Sequence, residues 1–112
     1  MYKIFGINNC NTVKKALNHL DKAGIAYEFI NFKKNPPTKQ QIQDWKQAFG
    51  DWPVNKRGPT FRKIKDEFEA ASSPAKINLL IEKSSAIKRP ILMKKSKVIL
   101  FGYSEQEYDE LS

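Results

Sequence analysis

Cys10 is the only thiol of the chain, set in the stretch GINNCNTVKKAL, residues 6 to 17. Polar residues surround it: Asn8 and Asn9 end a strand-like run, and Asn11 and Thr12 open a helical one. Unpaired backbone N–H groups point out of a helix N-terminus and carry roughly half a positive charge. A free cysteine is only about 5% ionised at neutral pH, whereas one so placed can have its pKa brought to between roughly 3.5 and 7.5. The expected chemistry is that of a reactive thiolate, with the same N–H groups able to hold an oxyanion or a thiol-bound anionic ligand. The competing reading is an inert, half-buried cysteine acting as a small hydrophobe. His19, the only histidine, lies roughly two and a half turns into the helix and reads as an ordinary surface or edge residue rather than a base. One cysteine and one histidine are too few N/S ligands for a metal site, so none is expected.

The elements that must carry Cys10 follow from periodicity. Tyr2 to Phe5 reads as a short strand. Val13, Ala16, Leu17 and Leu20 form one apolar helical face from about Asn11, and Gly24 stops it. IAYEFINF, residues 25 to 32, is rich in β-formers and reads as a second strand. Strand, crossover helix and strand imply a parallel pair with a right-handed connection. Pro36-Pro37 breaks the chain. Thr38 and Gln41 then make a capping box for a helix through Ile42, Trp45 and Phe49, closed by Gly50. DWPVNKRGPT reads as loop, followed by a helix from about Thr60 to Glu69 with Phe61, Ile64 and Phe68 on one side. Ser73-Pro74 reads as a capping hydroxyl followed by proline, opening a helix that turns Ile77, Leu80 and Ile81 inward. In KRPILMKKSKVILFGY, the apolar runs Pro90 to Met93 and Val98 to Phe101 flank a polar connection, Lys94 to Lys97, and predict a β-hairpin. Ser104 and Glu107 cap a last helix ending near Leu111. The expected fold is α/β: a thioredoxin-like mixed four-stranded sheet with a helical insertion at about residues 38–84, in a single domain spanning 1–112.

Composition bounds the partners. The chain has 112 residues and a formal net charge of +8, which favours anionic ligands. Its lysines are dispersed, with no dense basic stripe, zinc-finger set or aromatic RNA-binding motif, so nucleic acid is not the expected partner. No apolar run approaches the roughly 20 residues that span a membrane, and MYKIFGI lacks the features of a secretion signal. A single cysteine suits a reducing compartment, and the cytoplasm is the expected location.

Three motifs in order, GINNCNTVKKAL, NKRGPTFRKI and IKRPIL, resemble the arsenate reductase (ArsC) family over essentially the whole chain, most closely its YffB-like branch, which is related to the regulator Spx. The resemblance implies a thioredoxin-like fold with Cys10 as nucleophile. It implies that Arg62 and Arg89 bind an oxyanion or glutathione near that cysteine, alongside the Asn11 and Thr12 of the helix mouth. It places Pro90 at the position that is cis in such folds. Two departures stand out. Arsenate reductases carry a third arginine beyond the hairpin, where LFGYSE has Gly102; Spx regulators usually carry Cys-x-x-Cys, where this chain has Val13. The resemblance therefore implies a glutathione-dependent thiol reductase working with one cysteine, with glutathione as co-substrate and no bound cofactor. The alternative is an Spx-like, non-enzymatic partner of the C-terminal domain of the RNA polymerase α-subunit.

Overall fold

Tyr2–Gly6 forms strand β1, and its burial pattern shows why it lies mid-sheet: Tyr2, Ile4, Phe5 and Gly6 are buried and only Lys3 is exposed. The structure is a computed structural model that describes residues 1–111. Helix α1 (Asn11–Lys22) follows, then β2 (Tyr27–Asn31), which pairs parallel to β1. Strands β3 (Ile91–Lys94) and β4 (Lys97–Phe101) form a hairpin whose first strand runs antiparallel to β1. The sheet order is β2-β1-β3-β4, the thioredoxin-like mixed sheet. Helix α5 (Glu105–Asp109) closes the chain. Among the described residues, 1–34 and 89–111 make one compact unit and 35–88 another.

In the first unit the core gathers Tyr2 and Ile4 of β1, Ala16 and Leu20 of α1, Leu92 of β3 and Tyr108 of α5. Each such large apolar side chain contributes on the order of 1.5–3 kcal/mol relative to exposure. Gly6 ends β1 where α1 passes very close: a Cβ there would lie 2.8 Å from Val13 Cγ2. The absent side chain lets the first turn of α1 settle against the strand, which fixes the loop from Ile7 to Cys10 between two rigid elements. The hairpin is tighter than the sequence predicts. Lys94 and Lys97 pair across it, so only Lys95 and Ser96 turn, with Lys95 at φ 57°. The reason is a register shift between Leu92 and Met93, which draws residues assigned to the connection into the ladder.

The second unit holds α2 (Lys39–Phe49), α3 (Pro59–Ala70), α4 (Ser73–Glu82) and a 3-10 turn, Ser84–Ala86. The Thr38 capping box is complete, with Thr38 and Gln41 each accepting from the other's backbone N–H. Ile42, Trp45, Phe61, Ile64, Phe68, Ile77 and Leu80 are buried, whereas Ile81 is only partly covered. The cap of α4 is Ser72, not Ser73: the Ser72 hydroxyl accepts from the Ala75 N–H, and Ser73 is already the first helical residue. With two serines in a row, the one three residues before a free N–H takes the cap. The stretch read as loop pairs locally too. Val54 bridges to Ile87, and the Lys88 N–H donates to the Pro53 carbonyl at 2.8 Å.

Candidate functional site

The register of β3 against β1 assembles the site. Phe5 lies opposite Ile91, so the chain leaving β1 and the chain entering β3 run side by side at one end of the sheet. The first leads to Cys10 and the second comes from Arg89. Cys10 is the N-cap residue of α1, with extended backbone (φ −124°, ψ 120°), and its carbonyl accepts the Lys14 N–H at 3.0 Å. That geometry turns the N–H groups of the second and third helical residues, Thr12 and Val13, toward the cap side chain. The Cys10 side chain makes no full cap hydrogen bond to the helix, but both N–H groups favour its anionic form, as do the charge and the hydrogen-bonding guanidinium of Arg89.

Two influences compete at the sulfur. Partial burial pushes the thiol pKa up. Against it stand the Val13 N–H, the Arg89 charge and hydrogen bond, and the Thr12 N–H, and together they win, so the pKa lies below its ordinary value. Cys10 is half-buried and Asn8, Asn9, Asn11 and Thr12 are exposed, so the sulfur borders solvent. A sulfur whose anionic form is favoured, bordering solvent and faced by a guanidinium, can act as a nucleophile toward anionic partners.

Of the residues singled out from the sequence, Cys10, Thr12 and Arg89 meet here. Thr12 takes part through its backbone N–H, and Asn11 sits exposed at the first position of the helix. The Arg89–Pro90 peptide is cis, and the buried Pro90 accepts the Gly102 N–H on its carbonyl at 2.8 Å. Arg62 stands exposed on α3 in the second unit, its N–H bonded to the Gly58 carbonyl at 3.1 Å. Val13 is the contributor the sequence reading missed. Its side chain belongs to the core, with no exposed surface, while its N–H faces the sulfur. Recognising Cys10 as the cap would have found it, because capped donors sit at the second and third positions whatever their side chains.

Gly102 bears on the departure noted above. Its φ of +76° lies in the left-handed region, which disfavours an arginine there by about 1–2 kcal/mol. His19 also differs from its sequence reading. Its side chain is only 13% exposed and bonded on both ring nitrogens, to Tyr103 Oη at 2.9 Å and Asp109 Oδ1 at 3.0 Å. Both partners come from the far end of the chain, beyond the reach of local patterning.

The sequence and the fold resemble those of known proteins. The ArsC family model matches residues 5–111. A solved protein called YFFB is 33% identical, with a TM-score of 0.85 over 97% of this chain and 96% of that one. A possible arsenate reductase from Streptococcus mutans UA159 is 31% identical, with a TM-score of 0.76 over 92% and 91%. The global transcriptional regulator Spx of Streptococcus agalactiae is 26% identical, the match spanning 96% of this chain and 80% of the regulator.

Proposed function

The chain belongs to the ArsC family, and we propose that within it this protein is a glutathione-dependent monothiol reductase with Cys10 as nucleophile. The observation that carries the reading is the anion-stabilising surround of the Cys10 sulfur, made by two helix-mouth N–H groups and the Arg89 guanidinium. The Cys10 thiolate attacks one sulfur of a glutathione-containing disulfide. The S–S bond breaks, the partner leaves as a thiolate that takes up a proton, and Cys10 is held in a mixed disulfide with glutathione. With no second cysteine in the chain, a further glutathione thiolate attacks the glutathione sulfur of that mixed disulfide. Oxidised glutathione leaves and the Cys10 thiolate returns. One glutathione thiol is oxidised and the partner sulfur is reduced to a thiol, so one disulfide replaces another and the electrons balance. Arg89 steadies the negative charge at each exchange and takes a glutathione carboxylate by charge-assisted hydrogen bonds. Arg62 is proposed as a further carboxylate-binding arginine on the family resemblance alone, and the cytoplasm, rich in glutathione, is the proposed location.

The test is turnover of a glutathione mixed disulfide with glutathione as reductant. Cys10→Ser should lower it by at least roughly 10³-fold with the fold unchanged; equal turnover by that variant would sink the reading.

The match to Spx along nearly the whole chain favours a second reading, a regulator that docks on the C-terminal domain of the RNA polymerase α-subunit without chemistry. A pull-down that recovers polymerase, with Cys10 unreactive toward alkylating reagents at about pH 6, would support it over the reductase. Rapid alkylation at that pH, with no polymerase recovered, would dismiss it.

A further inference from the structure

We propose that the groove between α1 and α5 is a second ligand site, separate from Cys10, that takes a small zwitterion of the free α-amino acid type. The groove encloses about 560 Å³ and its walls differ in sign. Lys15 and Lys22 line it from α1, and Glu105 and Asp109 from the α5 side. Lys15 and Lys22 are two turns apart on one helix, and Glu105 and Asp109 one turn apart on another, so each wall shows its charges on the same face.

The floor is built rather than incidental. His19 joins the two sides by bonding Asp109 through Nε2 and Tyr103 through Nδ1. The Asp109 carboxylate can only accept, so Nε2 carries a hydrogen, and in either direction of the Tyr103–Nδ1 bond the Tyr103 oxygen has a lone pair to spare. That lone pair can accept from a donor in the groove. Edge-to-face contacts hold the imidazole in place, at ring-centroid distances of 5.8 Å to Tyr103 and 5.6 Å to Tyr108.

The chemistry of the occupant follows. Two ammonium groups and two carboxylates cancel, so the groove is locally neutral on a chain of net charge +8. A simple anion gains at the lysines but is repelled by Glu105 and Asp109; a simple cation meets the reverse. A molecule with a carboxylate and an ammonium one carbon apart satisfies both walls, its ammonium donating to Asp109 and Tyr103. On the turn of α1, Lys15 and His19 lie away from the side of Cys10, so the site does not depend on the thiol chemistry proposed above.

Backbone amide NMR titration tests this with L-alanine and its two half-ligands: propionate, which lacks the ammonium, and ethylammonium, which lacks the carboxylate. L-Alanine should shift the amides of Lys15, His19, Tyr103 and Asp109 and saturate by roughly 10 mM, as weak solvated charge pairs allow. Each half-ligand should bind at least about tenfold more weakly. In the double variant Lys15→Ala/Lys22→Ala, both changes at exposed positions, L-alanine should bind no better than ethylammonium. No saturable shift with L-alanine, or either half-ligand matching it, would overturn the site. Alkylation of Cys10 should be unaffected by L-alanine, which keeps the result independent of the reductase reading.

Discussion

At Cys10 a partly desolvated sulfur is balanced against three compensating groups, and removing one of them should be visible in its reactivity. Replacing Arg89 by alanine takes away a charge and a hydrogen bond while leaving the Thr12 and Val13 donors. Alkylation at about pH 6 should slow severalfold, with little change well above the ordinary thiol pKa, where every thiol is ionised. The same balance sets a stability dependence whose sign is fixed. The Cys10 pKa is depressed in the folded state relative to 9.0. Its contribution is therefore absent at pH well below the folded value, grows as pH rises through that value and is complete above 9.0. The difference in unfolding free energy between the wild type and Cys10→Ser should widen over that window and nowhere below it. Gly102 allows a second measurement. If a missing arginine were all that separated this chain from arsenate turnover, Gly102→Arg would confer it. With φ at +76° the substitution should instead cost about 1–2 kcal/mol in denaturant unfolding, with no gain of arsenate reduction.

Among the elements, the contact between β1 and α1 decides where the thiol sits. Gly6 is buried against Val13, a β-branched side chain with no exposed surface and little freedom to move aside. Gly6→Ala should force α1 off the strand, at a cost of roughly 1–3 kcal/mol in unfolding free energy. The same shift displaces the Cys10 cap from Arg89 at the entry to β3, so alkylation near neutral pH should slow as well. A loss of stability with unchanged thiol reactivity would show that the strand–helix contact does not position the sulfur.

Over the molecule as a whole, 20 basic residues against 12 acidic ones leave a net charge of +8. Dispersed lysines do not make a nucleic-acid stripe, but their summed field draws small anions toward the surface. Glutathione, the proposed co-substrate, is an anion at neutral pH, so on that proposal kcat/KM for it should fall as ionic strength rises from about 0.01 M to 0.15 M, where the screening length drops from roughly 30 Å to 8 Å. A flat response would mean that the charge of the chain has no part in substrate capture. Among the described residues no helix is long and apolar enough to cross a membrane.

Much of this molecule could be read along the chain because local physics writes it there. The face Val13, Ala16, Leu20, the Thr38–Gln41 box and the stops at Gly24 and Gly50 each need only neighbouring residues. Cys10 at the mouth of α1 was legible for the same reason: a cap is a local event. Two readings turned on ambiguities between close neighbours, which only the folded geometry resolves. Ser72 took the cap from Ser73, and a shift between Leu92 and Met93 moved the hairpin turn to Lys95 and Ser96. Nothing nearby in sequence tells Cys10 that Arg89 will stand beside it, or His19 that Tyr103 and Asp109 will close on its two nitrogens. Those meetings follow from the pairing of β3 with β1 and the return of α5 onto α1. Electrostatic and hydrogen-bonded contacts act over a few ångströms of space, whatever the distance along the chain.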